Sequence, residues 1–248
     1  MAGVLSGRSV VVTGASSGIG AAVARAFVDA GAVVTLAARR VDRLAALAAE
    51  LGTEAAVVQT DLRVESDVVR LIASARERFG GVDVLVNNAG LGRNAPLSTA
   101  PSELWREMLE TNVLGLAIAT REAIQDMDRR GVAGHIVNVS SMAGHRIPGP
   151  DSAMYAATKF AVRALTEGLR QELRARDSAI RVAEVSPGYV ETEFAEVFSG
   201  SAEAAAKQYS RLKVLEPRDV ANTILWIVTQ PPHVQVHDVL MRPTAQRN

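Results

Sequence analysis

The stretch VVVTGASSGIGAAVARAF, Val10 to Phe27, places Gly14, Gly18 and Gly20 between a β-branched run and an alanine-rich pattern of helical period. That order predicts a strand, a tight turn and a helix. A glycine at the strand end permits the turn, one at the helix start lets an anionic group approach the main chain, and a third lets helix pack closely on strand. The unpaired N–H groups of the first helical turn would face that anion. The turn is therefore read as a cradle for a pyrophosphate, with glycines that simply end a strand as the alternative. Its spacing, G-x-x-x-G-x-G, differs from the G-x-G-x-x-G fingerprint and has no P-loop lysine, which argues against ATP or GTP hydrolysis.

Outward from this turn, short apolar runs alternate with longer helical patterns. Strands are expected at 9–14, 32–37, 55–61, 82–90, 135–141, 180–188 and 237–243, and helices near 18–30, 41–51, 64–79, 102–130, 152–176 and 218–229. Repeated β-α-β alternation implies a parallel sheet covered by helices on both faces, because parallel strands need crossover connections. The strands are apolar nearly throughout, as burial on both faces requires. The expected fold is a single Rossmann-like, doubly wound α/β domain over residues 1–248 with a seven-stranded parallel sheet. Segment 191–216 reads as one or two short helices joined by loops, placed to act as a substrate lid.

Composition narrows the function classes. The 27 basic and 27 acidic residues cancel, and no long run of like charge offers a footprint for nucleic acid or an anionic membrane. The absence of cysteine excludes disulfides and thiolate chemistry and fits a reducing cytoplasm. No apolar stretch reaches the ~20 residues of a membrane span, and the opening MAGVLSGRSVVVTG lacks the layout of a signal peptide. A cytoplasmic protein acting on a small molecule is expected. His233 and His237 are four apart, but the neighbouring prolines and β-like pattern give no helical metal pair, so no metal is expected.

Six segments, TGASSGIG (13–20), NNAG (87–90), Asn112, IVNVSS (136–141), YAATK (155–159) and SPG (186–188), together resemble the short-chain dehydrogenase/reductase family along essentially the whole chain. SMAGHR and SPGYVETEF resemble an NADP-dependent branch that includes serine and 3-hydroxy acid dehydrogenases and clavulanic acid dehydrogenase. The resemblance implies a nicotinamide cofactor held by Gly14, Ser16, Ser17, Gly18, Ile19 and Gly20, by Asp61 and Leu62, by Asn88, Ala89 and Gly90, and by Pro187, Gly188, Val190 and Thr192. It also implies a homo-oligomer, tetramer or dimer. Asp61 alternatively serves as a helix N-cap. In LAARRVDRL, Ala37 and Ala38 stand where an acid would hold the ribose hydroxyls of NAD, and Arg39 and Arg40 follow, which favours NADP. Two cations at the start of a helix oppose its dipole, a placement that a phosphate dianion would repay; two solvated surface arginines are the alternative.

Tyr155 and Lys159, at i and i+4, share one helix face. A free phenol has a pKa of about 10, and a neighbouring ammonium together with the positive charge of an oxidised nicotinamide would lower it, so Tyr155 is expected as general acid for carbonyl reduction and base for the reverse. Ser141 would hydrogen-bond the substrate oxygen. The resemblance implies that Lys159 also binds the nicotinamide ribose and that Asn112 holds a water linking Lys159 to solvent. Ser141 to Tyr155 is one residue longer than the family's usual spacing; Ser140 is the other candidate, but adjacent strand residues face opposite ways, so only one can face the substrate. Met142, His145, Arg146, Tyr189 and Phe194 either line a substrate pocket or pack in loops. The expected function is NADP(H)-dependent hydride transfer to or from a small or medium aldehyde, ketone or hydroxy acid. A non-catalytic NADP sensor and a same-fold epimerase or dehydratase are the alternatives.

Overall fold

β-branched segments at regular spacing can satisfy their main chain only by pairing, and here all of them pair in one direction. The computed structural model describes residues 3–210 and 212–247. Strands β1 (Ser9–Thr13), β2 (Val33–Ala38), β3 (Ala55–Gln59), β4 (Val84–Asn87), β5 (His135–Val139), β6 (Arg181–Pro187) and β7 (Asp238–Met241) form a parallel sheet in the order β3-β2-β1-β4-β5-β6-β7. Helices α1 (Gly18–Asp29), α2 (Val41–Leu51) and α9 (Pro217–Val228) cover one face. Helices α3 (Glu65–Phe79), α5 (Leu116–Arg130) and α6 (Ala153–Ala175) cover the other. The doubly wound seven-stranded sheet expected from the sequence is the one observed.

Period-two alternation divides the core. Val10, Val12, Val84, Val86, Val137 and Val139 face α1 and α9, whereas Val11, Leu85 and Ile136 face α3, α5 and α6. The edge strands depart from the expectation of apolar strands throughout: β3 and β7 each leave residues exposed, because one flank has no neighbouring strand. The long helix expected over 102–130 is divided into α4 (Ser102–Leu109), a π turn (Glu110–Gly115) and α5. Strand β4 ends at Asn87 rather than running to Gly90, since the Asn88 and Ala89 N–H groups leave the ladder for the Thr13 hydroxyl. Segment 191–216 carries α7 (Phe194–Ser199) and α8 (Ala202–Tyr209), two short helices as expected; its Arg211 lies outside the described residues. Among the described residues no helix is long and apolar enough to cross a membrane.

One core group is a liability in acid. His135, at the start of β5, is 2% exposed and neither ring nitrogen has a hydrogen-bond partner among the described residues. Burial first, then the charge of Arg181, pushes its pKa down to about 3. Below an ordinary pKa of about 6.5 the unfolded chain therefore takes a proton that the folded state refuses, and stability falls as pH drops toward 3. His135→Leu is expected to gain about 2 kcal/mol over the parent between pH 7 and pH 5, read from urea unfolding at the two pH values.

Candidate active site

The winding of the sheet reverses between β1 and β4, so the chains leaving their carboxyl ends diverge and open a crevice. A cleft of about 630 Å³ lies there. Of the site residues named from sequence, all but Gly20 and Asn112 line it. Gly20 sits behind the wall, where a Cβ would lie 2.4 Å from the Gly14 carbonyl oxygen; it is the close helix-on-strand contact expected of the third glycine.

Gly14 and Gly18 have φ of +68° and +55°, left-handed values that a side chain disfavours. The turn is held by Asn88, whose amide donates to the Thr13 and Gly14 carbonyls. No side chain caps α1, and its first turn has no acid, so its N–H groups stay open toward the cleft as an anion site. Next to it, Arg40 donates from NH2 to the Ser16 and Ser17 hydroxyls at 3.0 and 2.7 Å and from NH1 to Glu193 at 2.8 Å. Arg43 pairs with the other Glu193 oxygen. Asp61 lines the cleft but is not a helix cap: Val64 occupies that position, and the Asp61 carboxylate instead accepts from the Arg63 main chain and guanidinium. Those bonds hold its pKa below the usual carboxylate range, against burial, which would raise it.

At the opposite end, Tyr155 stands on α6 with Lys159 one turn further on, both almost fully buried. Burial pushes the Tyr155 phenol up to about 12, while the hydrogen-bonded Ser141 hydroxyl pulls the other way. Lys159 is brought down to about 8 by burial, against the favourable charge of Glu184. The expected lowering of Tyr155 by Lys159 is thus absent from the protein's own residues. The Lys159 Nζ lies 6.0 Å from the phenol ring centre and donates to the Val139 carbonyl at 2.9 Å. Ser141 is the serine facing Tyr155, and its oxygen also accepts from the Ala143 N–H; Ser140 points away and donates to the Lys159 carbonyl. Between Ser141 and Tyr155 the chain makes two 3₁₀ turns, Met142–Gly144 and Pro150–Ser152.

Asn112 sits behind the cleft wall, 1% exposed. Its amide donates both protons, to the Leu91 carbonyl at 2.7 Å and the Thr158 hydroxyl at 3.0 Å, while its oxygen accepts from the Leu91 N–H at 2.9 Å. The side chain ties the loop after β4 to α6, and the π turn around it is the widened helical geometry found at many functional sites.

Three features were not legible from the sequence. Gln246, five residues past β7, accepts the Tyr189 N–H under the segment 187–192, which no local pattern announces. Phe194 and Phe198 form an aromatic wall with Tyr155, at ring separations of 5.4 and 6.0 Å. The backbone of α7 is pinned to the loop after β4 by Arg93 and the Asn94 N–H, which bond the Val197 and Phe198 carbonyls. Arg146 and Met142 line the cleft with Tyr189 and Phe194; His145 does not. His145, Glu184 and Asp238 come within 4.8 Å of one another, but Arg163 already lies about 4 Å from both carboxylates and supplies the cation there.

A profile of the short chain dehydrogenase family matches residues 8–202. The chain is 47% identical over 247 residues to dehydrogenase/reductase SDR family member 11 of Bos taurus, covering 96% of this chain and 97% of the relative. It is 39% identical over 240 residues to an NADP-dependent 3-hydroxy acid dehydrogenase of Salmonella typhi, covering 96% and 95%. It is also similar to the closed form of a serine dehydrogenase complexed with NADP+, at TM-score 0.91 and 36% identity, with 97% of this chain and 96% of that one covered.

Burial of the Lys159 ammonium costs stability. Below pH 8 both folded and unfolded chains carry the charge and the folded state bears the full penalty. Between about 8 and 10.5 the unfolded chain keeps a proton that the folded state has shed, so stability rises with pH. Lys159→Met is expected to unfold about 2 kcal/mol later than the parent at pH 7, with the difference shrinking toward pH 10 in chemical denaturation.

Proposed function

The chain belongs to the short-chain dehydrogenase family, and from that premise we propose that it transfers hydride between NADP(H) and the carbonyl or alcohol carbon of a small or medium aldehyde, ketone or hydroxy acid, clavulanic-acid-type aldehydes included. The observation that carries this is the Tyr155 phenol, which lines with Ser141 the wall of a cleft whose far end is the open N-terminus of α1.

The residues fit the cofactor. The glycine cradle has room for a pyrophosphate that a Cβ at Gly18, 3.0 Å from the Thr192 methyl, would crowd. Arg39 and Arg40 suit the extra phosphate of NADP, and Ala37 and Ala38 offer no carboxylate to oppose it. Ser16, Ser17 and Ile19 complete that end; Asp61 and Leu62 flank the adenine; Asn88, Ala89, Gly90, Pro187, Gly188, Val190 and Thr192 line the path to the nicotinamide. When bound, the cofactor supplies the hydride.

The chain supplies orientation and the proton. With its pKa near 12, Tyr155 is fully protonated at neutral pH and is set to donate to a carbonyl oxygen, which makes it the general acid of reduction. Ser141 donates to the same oxygen as negative charge develops on it. Lys159 brings positive charge behind the phenol and holds the nicotinamide ribose, and Asn112 acts as a positioning residue through Leu91 and Thr158. Segment 191–216 is the lid: Phe194 and Phe198 close an apolar wall over the reacting carbon and exclude water. The whole chain acts as one catalytic domain in the cytoplasm, and copies associate as a tetramer or dimer through exposed apolar residues such as Trp226 and Leu240.

Oxidation of NADPH and NADH followed at the nicotinamide absorbance, across aldehydes, ketones and the oxo forms of hydroxy acids, tests this reading. Tyr155→Phe is expected to lose roughly 10²–10⁴-fold in kcat with NADPH affinity retained. Ser141→Ala is expected to lose roughly 10²-fold. NADPH binding without turnover on the whole panel would sink the enzyme reading in favour of a sensor, and a preference for NADH would sink the phosphate assignment.

A further inference from the structure

The carboxylate of Glu193 occupies a position that the hydride-transfer chemistry does not require. It begins α7 but caps nothing: no α7 N–H reaches its side chain, and the Phe194 N–H goes to the Thr192 hydroxyl instead. Both of its oxygens reach out of the lid, one to Arg40 and one to Arg43, the residue one turn further along α2. These bonds hold the carboxyl down to about 2, so it is fully charged at any working pH.

Arg40 thus has two kinds of partner. The Ser16 and Ser17 hydroxyls can rotate and donate to an incoming phosphate while still accepting from the guanidinium. A carboxylate only accepts, and beside a phosphate monoester of nearly two negative charges it is a rival for the same cation. The pairs with Arg40 and Arg43 are both more than two-fifths exposed, a class of ion pair that is individually weak and displaceable.

Resting on the NADP reading above, we propose that Glu193 is a cofactor-specificity residue, which competes with the 2′-phosphate of NADP(H) for Arg40 and Arg43 and so holds the preference for NADP over NAD below what the arginines alone would give. Because Glu193 adjoins Thr192 and begins α7, the same exchange of partners links the adenosine end of the cleft to the foot of the lid.

The test compares parent, Glu193→Gln and Arg40→Ala by calorimetric titration with 2′,5′-ADP, 5′-ADP, NADP+ and NAD+. Glu193→Gln is expected to bind 2′,5′-ADP and NADP+ roughly three- to tenfold more tightly, with 5′-ADP and NAD+ changed less than about twofold, and to lose this gain when combined with Arg40→Ala and Arg43→Ala. Affinity for 5′-ADP reports that the variants are folded. Unchanged or weaker binding of 2′,5′-ADP by Glu193→Gln, with Arg40→Ala still abolishing the preference for the 2′-phosphate, overturns the proposal and leaves the cofactor reading intact. A preference for NADP+ that survives Arg40→Ala and Arg39→Ala together overturns both.

Discussion

The arrangement of this protein depends on one constraint of parallel sheets: their strands need crossover connections, and the chain leaving β1 for β2 and β3 runs away from the chain leaving β4 for β5 and β6, with α1 and α2 on one face and α5 and α6 on the other. At β1 and β4 the connections part, and no helix covers the carboxyl ends of the two central strands. The main chain that leaves there would be unsatisfied without local partners. Thr13 and Asn88 supply them, joining the turn after β1 to the loop after β4 across the crevice. A cleft with a rigid polar floor is thus a product of topology before any ligand is considered.

The two ends of that cleft are electrostatically different. At one end sit main-chain N–H groups and arginines, partly exposed, where hydration keeps charge inexpensive. At the other, Tyr155 and Lys159 are taken out of water, which disfavours the charged form of each: the phenol holds its proton more firmly and the ammonium gives its proton up more readily. Burial outweighs their mutual attraction because the Lys159 Nζ is turned to the Val139 carbonyl rather than to the phenolic oxygen. Among the chain's own residues, burial therefore decides the state of the phenol, which stays protonated at neutral pH.

Segment 191–216 connects these ends. Thr192 packs over Gly18, Glu193 pairs with Arg40 just before α2 and with Arg43 in its first turn, and Val197 and Phe198 are tied through their carbonyls to Arg93 and Asn94. Tyr209 bonds the Thr192 carbonyl, bringing α8 onto the same point. The segment is therefore fastened by polar contacts near its root and by aromatic packing at its centre, and the exposed ion pairs are its weakest fastening.

Much of this was legible in the sequence because it is set by local chemistry. The alternation of β-branched runs with helical periods fixed seven strands and the layers over them, and glycines at Gly14 and Gly18 marked a turn that only glycine adopts without strain. The Tyr155–Lys159 spacing placed both groups on one helix face. Strand ends were overextended at Asn88–Gly90, because a strand stops where hydrogen-bond partners change, not where apolar residues do. What tertiary structure alone decided were contacts between residues distant along the chain. Glu193 meets Arg40 across 153 positions and Gln246 meets Tyr189 across 57. The Asn112 side chain bonds Leu91 and Thr158, and burial raises Tyr155 among the chain's own residues. Each depends on which groups the fold removes from water and which it sets within hydrogen-bonding distance, and neither depth nor distance is written in the order of residues.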